Sequence, residues 1–174
     1  MSARTGGPLV EAKRTTIQPG EAEKKGAGAV KREPGDSSEQ QAAERWLLDA
    51  LSKKLGVKLA KKRWQLGGRS WTELDGFAES PLILCEAWAH VGAPKSAQKH
   101  KVMTDAFKLL FVTRLLEADG RRILLFGDHE AAKHFQGDSW MARCLREYGI
   151  EVEVVEMNPE LKAKILEAQK RQYR

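Results

Sequence analysis

The chain has 174 residues, 41% apolar and 31% charged, and its 30 Lys and Arg against 24 Asp and Glu give a net charge of +6. That balance excludes collagen, coiled-coil and wholly disordered chains, and no stretch approaches the roughly 18 consecutive apolar residues of a transmembrane helix. Two cysteines, Cys85 and Cys144, are too few for a disulfide framework or a closed cysteine zinc site, and both lie in apolar segments that read as buried free thiols. The first residues lack an apolar core of signal-peptide length, so a reducing, cytoplasmic location is expected.

Residues 1–38 contain no aromatic side chain but hold six of the fifteen glycines and three of the six prolines. Such a segment buries too little apolar surface to offset its chain entropy, so a disordered tail is expected over 1–38 and one folded domain over 39–174. Residues 1–40 carry seven basic and six acidic side chains, a net +1, so the remaining +5 of the +6 falls in 41–174. A positive surplus there permits a polyanionic partner.

Ser37 and Ser38 before Gln40 and Gln41 form a capping-box pattern. EQQAAERWLLDALSKKLG then predicts a helix with Ala43, Trp46, Leu47, Ala50 and Leu51 on one face and Gly56 as its stop. VKLAKKRWQL and SWTELDGF, around Gly67-Gly68, predict a hairpin. PLILCEAWAHV is a third extended run, broken by Gly92 and Pro94. SAQKHKVMTDAFKLLFVTRLLEADG predicts a long helix ending at Gly120, and RRILLFGD a short apolar strand with Asp128 as the cap of the next helix. HEAAKHFQGDSWMARCLREYG is helical, with a break expected at Gly137. IEVEVVEM alternates as a strand, and NPELKAKILEAQKRQYR closes as a helix capped by Asn158 with Pro159 at its first turn. The expected order is αβββαβαβα, a mixed sheet flanked by helices, its first strands antiparallel and its last three parallel. Trp46, Phe107 and Trp140 read as core.

Two acids stand out. Glu86 sits inside PLILCEAWAH, where a carboxylate is costly unless it is paired, protonated or bound to metal. The plain alternative is a strand-end glutamate reaching solvent or a nearby lysine. Asp75 lies eleven positions earlier on the neighbouring strand, and Asp75-Gly76 also reads as a hairpin turn pair. On the following helix Gln98, Lys101, Asp105 and Lys108 fall at i, i+3, i+7 and i+10, one stripe, with Lys108 read as part of an ordinary solvated face. Lys95, Lys99 and Lys101 crowd the helix start, where cations oppose the macrodipole and a phosphate or carboxylate partner would relieve them.

This element order, with Asp75 on the second strand and Glu86 on the third, resembles the PD-(D/E)XK nuclease superfamily. CEAWAHVGAPKSAQKHKVMTDAFKLL is similar to a stretch of uncharacterised bacterial members. The resemblance spans residues 38–157 and rests on a short motif. It implies a restriction-endonuclease-like three-layer sandwich and a metal-dependent nuclease acting on DNA. It further implies Mg2+ (or Mn2+) held by Asp75, Glu86 and the main-chain carbonyl of Ala87. Glu44 matches an acidic position of the first helix that some members use. Trp88 stands where the family has its lysine. Some members recruit a lysine or glutamine from the next helix, a role open here to Lys101, Lys99 or Gln98, with His90 as a second substitute. A homodimer is implied for members that cut both strands. The departure at Trp88 keeps alive a catalytically inactive nucleic-acid-binding module on the same fold; a small-molecule-binding α/β domain is a further alternative.

Lys53, Lys54, Lys58, Lys61, Lys62, Arg63 and Arg69, with Trp64 and Trp71 interleaved, form the densest basic region; Lys61, Lys62, Arg63 and Arg69 with Lys95 suit a nucleic-acid backbone, or equally a lysine-guarded edge strand. HEAAKH at 129–134 spaces its histidines at i+5, which excludes the i, i+4 zinc pair. Ser139 has no evident base to activate it.

Overall fold

A computed structural model describes residues 38–172. The tail expected over 1–38, apart from Ser38, and the Ser37 cap lie outside them. The elements, in chain order, are α1 (Ser38–Leu55), β1 (Ala60–Gly67), β2 (Ser70–Glu79), β3 (Leu82–Trp88), α2 (Ser96–Leu115), β4 (Arg121–Phe126), α3 (His129–Gln136), α4 (Trp140–Glu147), β5 (Ile150–Val154) and α5 (Pro159–Gln172). The five strands form one open sheet in sequence order. β1, β2 and β3 pair antiparallel, and β3, β4 and β5 pair parallel. The helix expected between β4 and β5 is two helices: Gly137 closes α3, and Ser139 caps α4 by accepting the Ala142 N–H at 3.1 Å.

Helices cover both faces of the sheet. Strand alternation sends Leu84 and Trp88 of β3 and Leu124 and Phe126 of β4 to one side, where Val102, Ala106 and Leu109 of α2 and residues of α3 and α4 pack on them. Ile83, Cys85 and Ala87 with Ile123 and Leu125 face the other side, against Ala43, Leu47, Leu48 and Leu51 of α1 and Ile165 of α5. Leu48, not Trp46, completes the buried face of α1: of the two residues flanking the 43–47–51 stripe, Leu48 falls on the side that packs against the sheet. The other two expected core aromatics are also at the surface: Phe107 is 71% and Trp140 67% exposed. Phe107 falls between the buried α2 positions 106 and 109, and Trp140 opens α4 ahead of its first packed residue. Cys85 is buried as expected, whereas Cys144 is half-buried.

Local chemistry explains the terminations. Gly67 and Gly68 take φ of +108° and +56°, values that a side chain resists, and turn β1 into β2. Asp128 caps α3 through Ala131 N–H, and Asn158 accepts from Leu161 N–H at 2.8 Å to cap α5. α2 stops at Leu115, five residues before Gly120, where Glu117 adopts φ +48°.

Asp75-Gly76 is not a turn. Both residues lie within β2, at a bulge where Leu74 to Phe77 of β2 oppose only Lys62 to Ala60 of β1. Gly76 is required by close approach: a Cβ there would lie 2.7 Å from Leu48 Cδ2 and 3.2 Å from Cys85 Cβ. The bulge keeps Leu74 and Phe77 in the same core while turning Asp75 towards a cleft beside α1.

Candidate functional site

The β2–β3 ladder runs from Glu79–Leu82 to Gly76–Cys85. Beyond it, the Asp75 carboxylate takes over a backbone role: its Oδ2 accepts the Ala87 N–H at 3.1 Å. Asp75 is thereby fixed beside the segment carrying Glu86. Alternation places Glu86 between Leu84 and Trp88, facing α2, and leaves it 4% exposed. Lys108 of α2 reaches it, with Nζ 2.7 Å from Glu86 Oε2 and 3.8 Å from Asp105 Oδ1. The reading of Lys108 as a solvated face is therefore wrong. It borders the buried stripe of Val102, Ala106 and Leu109, and that flanking position was the available signal. Asp105, a stripe residue with no role expected of it, bridges Lys108 to Lys101, whose Nζ lies 3.3 Å from Asp105 Oδ2.

The other Glu86 oxygen, Oε1, is buried and has no hydrogen-bond partner. Glu86, Ala87 and Asp105, among others, line a void of about 10 Å³. An ionised oxygen left in this state is strongly disfavoured. Burial, then the charge of Asp75, raise the Glu86 pKa to about 8, and Lys108 only partly opposes them. Lys108 itself is raised: burial works against its charge, but Glu86, Asp105 and Asp75 outweigh it. Lys108 and Lys101 thus face several carboxylates, and crowding of these acids favours the protonated forms of Glu86 and Glu44.

Glu44 of α1 extends the cluster. With Gln40, Lys61, Asp75 and Lys101 it lines a cleft of about 390 Å³. Burial and then Asp75 raise its pKa to about 7, although Gln40 donates to it at 3.2 Å and Lys101 favours its charged form. Asp75, Glu86, Glu44, Lys101, Lys108 and Ala87 are therefore brought together from α1, β2, β3 and α2. Among the described residues no group of three or more His, Cys, Asp and Glu is arranged to hold a metal ion. Asp75 and Glu86 would have to act as a pair completed by main-chain and water oxygens.

The other expected site residues are distributed more loosely. Gln98 spans the start of α2, accepting the Lys95 N–H at 2.7 Å and lying 3.3 Å from His90 Nδ1. Lys95 is exposed at that helix start. Lys99 acts electrostatically on His134 of α3. Trp88 is core: it packs edge-on to Phe126 with centroids 5.5 Å apart and stacks on His90 at 4.6 Å. On the edge strand β1, Lys61 and Arg63 share Glu73 at 2.8 and 2.9 Å, Lys62 lies over Phe77, and Arg63 covers Trp71. Arg69 is exposed at the hairpin tip. No helix among the described residues is long and apolar enough to cross a membrane.

Comparison with known proteins places no relative beside this site: no family model, no curated protein and no solved structure matches the chain.

Proposed function

We propose that this chain is a metal-dependent phosphodiesterase acting on DNA, with Asp75 and Glu86 as its metal-holding pair. The observation that carries the reading is the buried, partnerless Oε1 of Glu86, an acid whose proton is held by burial and by the charge of Asp75. The donor set fits: hard carboxylate oxygens, few in number, suit Mg2+ or Mn2+, which keep several waters. Asp75, Glu86 and the Ala87 carbonyl would hold the ion. When bound, it would polarise a phosphodiester oxygen and lower the pKa of a water.

The chain's own residues supply the rest. Asp75 is oriented by the Ala87 N–H, so its second oxygen is presented at a fixed place. Lys108 holds Glu86 in one rotamer through Oε2. Lys101, exposed at the cleft mouth, adds positive charge where a phosphate would enter and where charge grows in the transition state. Glu44, held near neutrality at about 7, is suited to giving or taking a proton within the same cleft. The positive edge strand β1, next to Asp75, offers Lys61 and Arg63 as backbone contacts.

A second reading is the catalytically inactive nucleic-acid-binding module. It is favoured by the engagement of Lys108 with Glu86, which leaves that lysine bound to the acid instead of to a water. The deciding experiment incubates labelled duplex, single-stranded and branched DNA and RNA with Mg2+ or Mn2+. Wild type runs beside Asp75→Asn and Glu86→Gln. Metal-dependent cutting lost in both variants is expected. Retention of the substrates without cutting by any form would establish the binding module instead.

A further inference from the structure

We infer that the pocket at the carboxyl end of β3 is a nucleobase site, taking one unpaired base next to the phosphate that enters the Asp75 cleft. The inference rests on the phosphodiesterase reading and deepens it by naming the form of the substrate: a single or locally unpaired strand, not a continuous duplex.

Location points there first. Open α/β sheets bind ligands at the carboxyl ends of their parallel strands. A pocket of about 230 Å³ lies at that end of β3 and shares Gln40 and Lys101 with the carboxylate cleft. A strand running along the two clefts would pass Lys101, whose charged and exposed end suits a phosphate between them.

The pocket's size and surface agree with a base. Its volume falls below the ~300–1,000 Å³ of pockets for drug-sized ligands, so it admits one heterocycle and no base pair. Trp88, Ile165 and Ala168 give it an apolar wall. His90 gives it a polar one, and hydrogen-bond logic fixes that residue's tautomer. The Lys95 N–H can donate only to oxygen, so the oxygen of Gln98 faces Lys95 and its NH2 group faces His90. Nδ1 of His90 therefore accepts, and the neutral ring carries its proton on Nε2. Burial also holds this ring neutral, with a pKa lowered to about 4. The result is an uncharged donor in a slot walled by apolar and amide side chains, a combination that recognises a ring nitrogen or carbonyl on a base edge.

The pocket is also rigid. The Gln169 side chain of α5 accepts the Val91 N–H at 2.9 Å and donates to the Val91 carbonyl at 3.2 Å. Asp128 accepts the next N–H, that of Gly92, at 2.9 Å. The segment after β3 is tied to two separate elements, so a base would enter a pocket that needs no reordering.

Two measurements test this on the full chain. In the first, 15N-labelled Asp75→Asn protein is titrated with deoxynucleoside monophosphates and, separately, with deoxyribose 5-phosphate. The Trp88 indole and Gln169 amide signals are expected to shift with the nucleotides and not with the sugar phosphate. Ala168→Met, which fills the pocket, and His90→Phe, which keeps the ring stack but removes the donor, should each weaken the response by up to about tenfold. In the second, wild type is expected to cut single strands faster than duplex, with the preference lost in both pocket variants. No nucleotide-induced shift at these signals, or equal cutting of single strands and duplex, would overturn the base site. Nucleotide shifts without cutting of any substrate would remove the phosphodiesterase reading and leave the base pocket standing.

Discussion

Two buried carboxylates, one on β3 and one just beyond β4, each meet a helical lysine, and their electrostatics run in opposite directions. At the end of β4, Lys162 Nζ lies 2.8 Å from Asp128 Oδ1; on β3, Lys108 lies 2.7 Å from Glu86 Oε2. Asp128 spends its other oxygen on the N–H groups of Gly92 and Ala131. Burial alone would raise its pKa, but Lys162 and those two donors lower it. Lys162 is shared with Glu156, so that cluster is closed on itself. Glu86 has the same kind of lysine and no other donor, and Asp75 beside it adds a like charge. A buried carboxylate whose lone pairs are all used is explained by the fold; one left short points to something the fold itself does not provide.

Neutralising each acid in turn separates the two pairs most strongly. Glu86→Gln should lower metal-dependent cleavage by about 10²–10³-fold or more while leaving stability at pH 8 unchanged or higher. Asp128→Asn should do the reverse, costing about 1–3 kcal/mol in urea unfolding with little effect on cutting. Equal stability losses in the two variants would make Glu86 an ordinary structural acid.

Removing the lysines comes next in size. Lys162→Met leaves a fully ionised Asp128 without its cation and should destabilise by about 1–3 kcal/mol at pH 7. Lys108→Met should cost clearly less, because Glu86 already leans towards its protonated form and takes up a proton. Urea midpoints of the two variants, measured at the same pH, decide this.

The pH dependence separates the pairs further. Glu44 and Glu86 have folded pKa values of about 7 and about 8, above the ordinary 4.5. A raised pKa means the folded state holds the proton more tightly. Their contribution is fully present below about pH 4.5 and is lost as pH rises through 7 and 8. Asp128, lowered from 3.8, contributes above that pH and loses its contribution only in acid. The metal-free protein should therefore melt at a lower temperature at pH 8.5 than at pH 5.5 if these two acids dominate. Glu44→Gln with Glu86→Gln should flatten that slope. Added Mg2+ should raise the melting temperature more at pH 8.5 than at pH 5.5, since only ionised carboxylates bind it.

The smallest effect is expected at the surface. Glu73 meets Lys61 and Arg63 at distances like those of the buried pairs, but both cations are more than half exposed. Glu73→Gln should change stability by no more than about 1 kcal/mol. It should also strengthen retention on DNA at low salt by releasing two cations, which a salt titration would show.

Much of this was legible in the chain. Glu86 announced itself as a charge inside an apolar run, and Gly67-Gly68, Asp128 and Asn158 declared their turns and caps through local chemistry. What failed needed knowledge of depth. Asp75-Gly76 matches a turn pair in sequence, yet the approach of Leu48 on α1 is what demands glycine there. The stripe of Gln98, Lys101, Asp105 and Lys108 is one line on a helix, but only packing decides that Lys108 lies over Glu86 while Lys101 stays at the cleft mouth.

The sequence by itself therefore determined the strands, most helix limits and the presence of an acid that a strand interior resists, because periodicity, capping and turn preferences act over a few residues. Tertiary structure alone decided which lysine meets that acid, which of its oxygens is left short, and how far Glu44 and Glu86 hold their protons. Those quantities depend on burial and on charges from α1, β2 and α2, elements distant in sequence and joined only where the sheet and its two helical layers close.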